Sequence, residues 1–229
     1  NNKIIENNKY EILKKASTSK EDCFELLKNT FIKKNKESNI FSKFALGHTR
    51  WATHGGKTDE NAHPHMSEKG NIILVHNGII NNFDILKSKL LNHNINFYSE
   101  TDSEVIANLI EYYLIYMNND IEDAIKNTIN ELEGTWALVI IYTKELDTYY
   151  VTRHGSPLLL GIENDYAMVS SENSGFNDQI KKYIEIDNND IIKVTYNNNK
   201  LEYSCDIKRY KTNNRIATTD NNLPDEYDH

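Results

Sequence analysis

The sequence predicts an α+β protein in which helices pack on antiparallel sheets. Amphipathic helical patterns fill the middle of the chain, and the one that follows Thr101–Glu104 is the strongest. After Gly134 the pattern changes to short apolar or alternating runs separated by turn residues. Strands, then helices, then more strands are typical of helices laid on antiparallel sheets. With 229 residues, one domain over 1–212 and a polar linker over 213–229 are expected.

The N-terminal part predicts four elements. They are a hairpin of Lys3–Glu6 and Tyr10–Lys14, a helix over Ser19–Thr30, a solvated loop over Lys33–Ser38 and a strand over Phe41–His48. Asn7-Asn8 is a turn signal between the first two runs. Phe24, Leu26 and Leu27 follow a polar start, which favours an amphipathic helix.

The central part begins with Asn71–His76, a nearly all-apolar run between glycine signals that predicts a strand buried on both faces. Phe83–Leu91 has helical spacing. Thr101–Glu104 reads as a capping box in front of a helix that reaches Met117. A further helix over Ile121–Leu132 ends before Gly134.

The C-terminal part predicts an antiparallel meander of short strands. They are Trp136–Tyr142, Tyr149–Arg153, Leu158–Ile162, Tyr166–Ser170, Ile191–Tyr196 and Leu201–Ile207.

The composition excludes several classes of protein. The 34 acidic residues outnumber the 26 basic ones and give a net charge of −8, which argues against nucleic acid or an anionic membrane as partner. No apolar run reaches the length of a membrane span, so a cytoplasmic protein is expected. Cys23 and Cys205 lie far apart, which suggests free thiols rather than a disulfide framework or a thiolate zinc site.

Three polar stretches suggest a site for a small polar ligand. Gly47–Gly56, with the sequence GHTRWATHGG, contains two His, two Thr, an Arg and a Trp, a mixture that no helix or strand requires. NAHPH at Asn61–His65 and HNGIINN at His76–Asn82 follow it. Together the three stretches contain five of the eight histidines.

Each motif also has an ordinary explanation. Asn77-Gly78 is a favoured hairpin turn, and Asp102 suits a helix N-terminus whatever it binds. Trp51 fits a core position as well as a ligand gate. The two imidazoles of His63–His65 on one face of a strand would suit a metal pair, but no Cys or clear carboxylate partner accompanies them, and no metal is expected.

The combination is more specific than its parts. Arg50 suits bidentate capture of a carboxylate, and Asp102 suits an ammonium group. Asn77 and Gly78 offer a side-chain amide and a backbone N–H, a donor pair of the kind that forms oxyanion holes. An amino-acid substrate undergoing acyl chemistry needs these groups.

At this point the motifs resemble a known family, the glutaminase domains of glucosamine-6-phosphate synthases, which are class II glutamine amidotransferases. The resemblance extends from about Phe44 to Tyr196. It rests on GHTRWATHG at Gly47–Gly55, NAHPH at Asn61–His65, HNGII.N at His76–Asn81, ETD.EVIA at Glu100–Ala107, LEG at Leu132–Gly134, R.GSPLL.G at Arg153–Gly161 and SSE at Ser170–Glu172.

The resemblance implies a four-layer αββα sandwich of the N-terminal-nucleophile hydrolases, with no cofactor. It implies that the thiolate of an N-terminal Cys attacks the side-chain amide of L-glutamine and releases ammonia. It assigns the oxyanion hole to Asn77 and Gly78, the α-carboxylate to Arg50 and the α-ammonium to Asp102. It further places Thr53 and His54 in the pocket wall, His63 in a supporting position and Trp51 as a gate for ammonia.

The same resemblance implies ammonia transfer to fructose 6-phosphate on a sugar-isomerase domain beyond the linker, and a homo-oligomeric full-length protein. One departure is large, because the family's opening Cys-Gly-Ile does not occur in this sequence. Cys23 and Cys205 have no free α-amine and are no substitutes. The expectation is therefore a glutaminase fragment that binds glutamine without hydrolysing it; the alternative is a non-catalytic glutamine-binding homologue.

Overall fold

The computed structural model describes residues 10–17, 22–38, 44–50, 55–176, 178, 180–197, 200–205 and 211–212. Its α-helices are α1 (Cys23–Ser38), α2 (Phe83–Leu91), α3 (Asp102–Tyr116) and α4 (Ile121–Glu131). A short 3-10 helix spans Asn173–Phe176. None of the helices in these ranges is both long enough and apolar enough to span a bilayer.

The described strands form two sheets in which every pair of neighbours is antiparallel. In chain order they are β1 (His65–Met66), β2 (Ile72–Ile80), β3 (Gly134–Tyr142), β4 (Thr148–His154), β5 (Leu159–Ile162), β6 (Ala167–Ser170), β7 (Lys182–Glu185), β8 (Ile191–Asn197), β9 (Lys200–Tyr203) and β10 (Lys211–Thr212). The first sheet has the order β1-β2-β3-β4-β8-β9, and the second has the order β10-β7-β5-β6.

Side chains of β3 alternate between two cores, as the period of a strand requires. Trp136, Leu138 and Ile140 join the core that α2, α3 and α4 form with the outer face of the first sheet. Ala137 and Val139 point the other way, into a core shared with β5 and β6 of the second sheet. The two sheets therefore face each other, and the α+β fold with antiparallel sheets is confirmed.

The N-terminus of α3 is fixed by a turn in which Ser99 and Thr101 are buried, whereas Tyr98 and Glu100 are exposed. Oγ1 of Thr101 caps the helix by accepting the N–H of Glu104 at 3.3 Å. The carboxylate of Glu104 accepts the N–H groups of Tyr98 and Ser99 at 2.8 and 2.6 Å, and it does not return to Thr101 as a capping box requires. The Thr101 cap of the predicted capping box is therefore confirmed, whereas the carboxylate of Glu104 binds the preceding turn instead of the N–H of Thr101.

The predicted helices and the buried central strand are confirmed, but the predicted turn at Asn77-Gly78 is wrong. α2 has the predicted bounds, α3 and α4 differ from prediction by a residue or two, and the buried strand at Asn71–His76 exists. The strand continues through Asn77-Gly78 to Ile80, because both residues pair with β3. The hairpin interpretation of Asn77-Gly78 is therefore wrong.

The N-terminal elements and the C-terminal strands also differ from the prediction. α1 begins at Cys23 and continues through the predicted loop Lys33–Ser38. Residues 10–14 and 44–48 form no strand, and the remaining residues of those two predicted elements lie outside the described ranges, as do residues 213–229. The predicted meander divides between two sheets, since β4 pairs with β8 and β5 pairs with β6 and β7.

The middle of α3 is tied to the turn between β1 and β2 by one buried carboxylate. Glu111 is 4% exposed and accepts the hydroxyl of Ser67 at 2.7 Å. It also accepts the N–H of Lys69 at 3.0 Å, the N–H of Asn71 at 3.0 Å and the side-chain amide of Asn71 at 2.9 Å. This carboxylate therefore satisfies the polar groups of a turn that packs against the helix.

Glu111→Gln is expected to lower the free energy of unfolding by about 3 kcal/mol, because an amide N–H₂ must then face N–H donors that a carboxylate accepts. Urea denaturation followed by circular dichroism measures the change. Glu133→Gln removes an exposed carboxylate and is the matched control. Equal stability of the two variants would contradict this role of Glu111.

Candidate functional site

A cleft of about 340 Å³ opens where the N-terminus of α3 meets the C-terminal half of β2. His48, Thr49 and Arg50 form its third side, and Thr135 of β3 completes it. This volume lies at the lower end of the range for small-molecule sites, about 300 to 1,000 Å³. The lining residues are His48, Thr49, Arg50, His63, His76, Asn77, Gly78, Ile79, Thr101, Asp102, Ser103 and Thr135.

Asp102 supplies the negative charge of the cleft. It is the first residue of α3, where the helix dipole favours a carboxylate, and it is only 4% exposed. Its Oδ2 accepts the N–H of Ile80 at 3.0 Å, which ties the helix start to the end of β2. Its Oδ1 lies 3.4 Å from the hydroxyl of Ser103 and 3.8 Å from Nδ1 of His76. The carboxylate is thus held by the fold and lines the cleft.

Gly78 lies on β2 in close contact with β3. Its φ is 144°, and a Cβ built on it would lie 2.2 Å from the carbonyl oxygen of Thr135. Only glycine fits such an approach of two backbones. The neighbouring Asn77 is exposed and faces the cleft, so a side-chain amide and a glycine backbone lie side by side.

Arg50 supplies the positive charge of the cleft. Its Nη1 donates to the carbonyl of Gly56 at 2.9 Å and its Nη2 donates to the carbonyl of Gly55 at 3.3 Å. Arg50 lines the cleft, and these two backbone carbonyls orient its guanidinium. Among the described residues that line the cleft, Arg50 is a cation and Asp102 an anion, and such a pair suits a zwitterionic ligand.

The ring of His63 packs against two other imidazoles, those of His48 and His65. The rings of His48 and His63 lie 4.0 Å apart, and those of His63 and His65 lie 4.7 Å apart. Burial is the main cause that lowers the pKa of His48 to about 4 and that of His65 to about 3. Burial, together with His48, also lowers the pKa of His63. The group is therefore neutral at physiological pH and leaves the cleft charge to Arg50 and Asp102.

Residues predicted to form one site converge in this cleft. They are Arg50, His63, Asn77, Gly78 and Asp102. Trp51, Thr53 and His54 lie outside the described residues. Within those residues, no group of three or more His, Cys, Asp and Glu is arranged to hold a metal ion. Neither Cys23 nor Cys205 lines the cleft.

Sequence reasoning missed several residues of the cleft. The sequence motif assigns no separate role to His76, yet its Nδ1 lies 3.1 Å from the hydroxyl of Ser103 and links β2 to α3. Its position directly before Asn77 was the available signal. Thr135 had no signal, because it reaches the cleft only through the register that places it opposite Ile79.

A second and larger cleft, about 850 Å³, adjoins the first between the two sheets. It shares His48, Thr49, Arg50 and Asn77 with the first cleft. Most of its remaining wall consists of apolar side chains from the inner faces of the sheets, such as Val139 and Val169.

Comparisons with known proteins agree on one family. A family model described as a glutamine amidotransferase domain matches residues 35–211. The glutamine–fructose-6-phosphate aminotransferase (isomerizing) of Corynebacterium diphtheriae is 44% identical over 155 residues, which are 67% of this chain and 25% of that protein. A probable enzyme of the same name from Acanthamoeba polyphaga mimivirus is 39% identical over 198 residues, 85% of this chain and 31% of that protein. The chain thus spans a quarter to a third of such relatives.

Solved structures give the same fold. Glutamine phosphoribosylpyrophosphate amidotransferase from B. subtilis, complexed with ADP and GMP, has a TM-score of 0.52 and is 26% identical, covering 69% of this chain and 33% of that chain. A structure described as the allosteric regulatory enzyme of purine biosynthesis has a TM-score of 0.56 and is 28% identical, covering 69% of this chain and 34% of its own.

Gly78→Ala is expected to destabilise the protein by about 3 kcal/mol, because the new Cβ overlaps the carbonyl of Thr135. Thermal or urea denaturation measures the loss. Gly47→Ala is the matched control, since nothing lies within 4 Å of a Cβ built there. Similar losses in both variants would contradict the proposed contact.

Lowering the pH from 7 to 5 is expected to destabilise the protein in part through His65. Its pKa is about 3 in the folded state against 6.5 ordinarily, so below pH 6.5 the unfolded chain binds more protons than the folded one. Stability is therefore lost as the pH falls, by up to about 1.4 kcal/mol per pH unit from this imidazole. Urea midpoints against pH measure it.

His65→Gln should flatten that pH dependence, whatever it does to stability at pH 7. Thr135→Val alters the cleft without removing a titrating group and should leave the slope unchanged. A slope that is the same in wild type and His65→Gln would show that His65 is not the group responsible.

Proposed function

The chain belongs to the family of glutamine amidotransferase domains, and from this premise we propose that the cleft binds L-glutamine for hydrolysis of its side-chain amide. The observation that supports it best is the convergence of Arg50, Asp102 and the Asn77-Gly78 pair in one cleft. These groups come from three separate stretches of the chain. They match the carboxylate, the ammonium and the amide oxygen of glutamine respectively.

The proposed roles follow from charge and hydrogen bonding. Arg50 binds the α-carboxylate, since a guanidinium presents paired donors to two oxygens. Asp102 binds the α-ammonium. The side-chain amide of Asn77 and the N–H of Gly78 donate to the amide oxygen and stabilise the negative charge that it gains when a nucleophile adds to the carbon. The supporting position of His63, the place of Thr53 and His54 in the pocket wall and the role of Trp51 as a gate for ammonia stay predictions.

The reaction has two steps. In the full-length protein, the thiolate of an N-terminal cysteine attacks the side-chain amide carbon, and the tetrahedral intermediate collapses to a thioester as the amide nitrogen takes up a proton and leaves as ammonia. Water then hydrolyses the thioester to glutamate. In the full-length protein, we propose that the ammonia is transferred to fructose 6-phosphate to give glucosamine 6-phosphate, as the names of the curated relatives suggest. A sugar-isomerase domain after residues 213–229, a homo-oligomer and a cytoplasmic location stay predictions.

A second candidate is a glutamine-binding homologue without catalysis. It is favoured by one observation, namely that neither Cys23 nor Cys205 lines the cleft. Ammonia release by the full-length protein separates the two candidates. Glutamine binding without turnover would favour the second, and absence of both would overturn the proposed function.

Arg50→Ala in the full-length protein is expected to lower kcat/KM for glutamine by about 100-fold, the effect of losing a hydrogen-bonded charge pair. Arg50→Lys keeps the charge without the paired donors and should fall between the wild type and Arg50→Ala. Coupled assay of ammonia release measures both. An unchanged kcat/KM in Arg50→Ala would remove Arg50 from the site.

A further inference from the structure

Asn61 and Glu100 form a pair beside the cleft without lining it. The side-chain oxygen of Asn61 accepts the N–H of Glu100 at 2.9 Å, and its Nδ2 donates to Oε2 of Glu100 at 3.1 Å. Asn61 is 2% exposed, whereas Glu100 is exposed. The side chain of Asn61 therefore bonds to both the backbone and the carboxylate of Glu100, in the turn that precedes α3.

The pair holds the backbone at Gly55-Gly56. Oε2 of Glu100 accepts the N–H of Gly56 at 3.2 Å, and Nδ2 of Asn61 donates to the carbonyl of Gly56 at 3.1 Å. That N–H and the amide of Asn61 lower the pKa of Glu100, which favours the carboxylate form that accepts these bonds. Both polar groups of the Gly56 backbone are thus occupied by this pair.

The carbonyls of Gly55 and Gly56 also accept the guanidinium of Arg50. The carbonyl of Gly56 therefore receives donors from two sides, one from Arg50 and one from Asn61. Asn61 and Arg50 thus meet at this carbonyl, while Glu100 accepts the N–H of the same residue, so direct contacts lead from the pair to the cation of the cleft.

Asn61 and Glu100 pack so closely against Gly55 that no side chain fits at this position. A Cβ on Gly55 would lie 2.7 Å from Nδ2 of Asn61 and 2.9 Å from Cβ of Glu100. The φ of Gly55 is 76°, which favours glycine. Glu100 itself belongs to the turn that Glu104 and Thr101 fix at the start of α3. The same turn presents Asp102 to the cleft.

We propose that Asn61 and Glu100 are positioning residues that orient Arg50 for the α-carboxylate of the substrate. The proposal rests on glutamine as the proposed substrate. One turn then sets both charges of the cleft, Asp102 directly and Arg50 through Gly56. The pair thereby determines selectivity for a free α-carboxylate without touching it.

Asn61→Ala and Glu100→Ala in the full-length protein test this. Each should raise KM for glutamine roughly tenfold, the scale of a hydrogen bond to a charged group, and change kcat little, because ground state and transition state lose the same contact. Glu100→Gln keeps an oxygen for Gly56 and Asn61 and should restore most of the affinity. Lys57→Ala, an exposed change in the same loop, should behave as wild type.

A substrate comparison separates positioning from general damage. In L-glutaminamide a neutral amide replaces the α-carboxylate, so Arg50 contributes little to its binding. The preference of the wild type for glutamine over this analogue should shrink in Asn61→Ala and Glu100→Ala, and Glu100→Ala should add nothing further to Arg50→Ala. Misfolding would lower turnover of both substrates alike.

Three results decide whether Asn61 and Glu100 position Arg50. An unchanged substrate preference in Asn61→Ala and Glu100→Ala, or full additivity with Arg50→Ala, would overturn the positioning role while leaving glutamine as substrate. A wild-type protein that neither binds nor hydrolyses glutamine would overturn the proposed function and this inference together. A reduced preference rescued by Glu100→Gln would establish the role.

Discussion

The carboxylate of Glu104 is the interaction on which the cleft depends most. It accepts the N–H groups of Tyr98 and Ser99 and the hydroxyl of Ser99, and both Ser99 and Glu104 are buried. A buried charge needs such donors, and in return it fixes the backbone that supplies them. From this turn Glu100 holds the Gly56 backbone and Asp102 faces the cleft. The start of α3 therefore contacts the backbone beside Arg50 and also supplies Asp102 to the cleft.

The second constraint is the pairing of β2 with β3. A Cβ at position 78 would overlap the carbonyl of Thr135, so the two backbones approach more closely than any other residue allows, and Thr135 lines the cleft. Asn77 is thereby exposed on a strand rather than on a flexible turn. A donor pair held by a strand is better placed for preorganised stabilisation of a developing charge than one held by a loop.

The cleft separates its charges from its apolar and neutral parts. The packed imidazoles of His48, His63 and His65 stay neutral because they are buried, so they fill space without competing with Arg50 for an anion. Family membership comes from the match over residues 35–211, and the choice of glutamine among amino acids comes from that membership. The geometry alone supports only a small zwitterion.

The sequence by itself determined the helices with strong periodicity and the buried strand before Asn77. It also identified candidate site residues, namely Arg50, Asn77, Gly78 and Asp102. Both were possible because helical spacing and residue chemistry are local properties. It did not determine whether Asn77-Gly78 turns or extends, since the same dipeptide suits both until β3 pairs with it. Nor did it reveal Thr135 in the cleft or the link from Asn61 and Glu100 to Arg50. Those contacts join positions far apart in the chain, and only the register of the sheet and the packing of α3 bring them together.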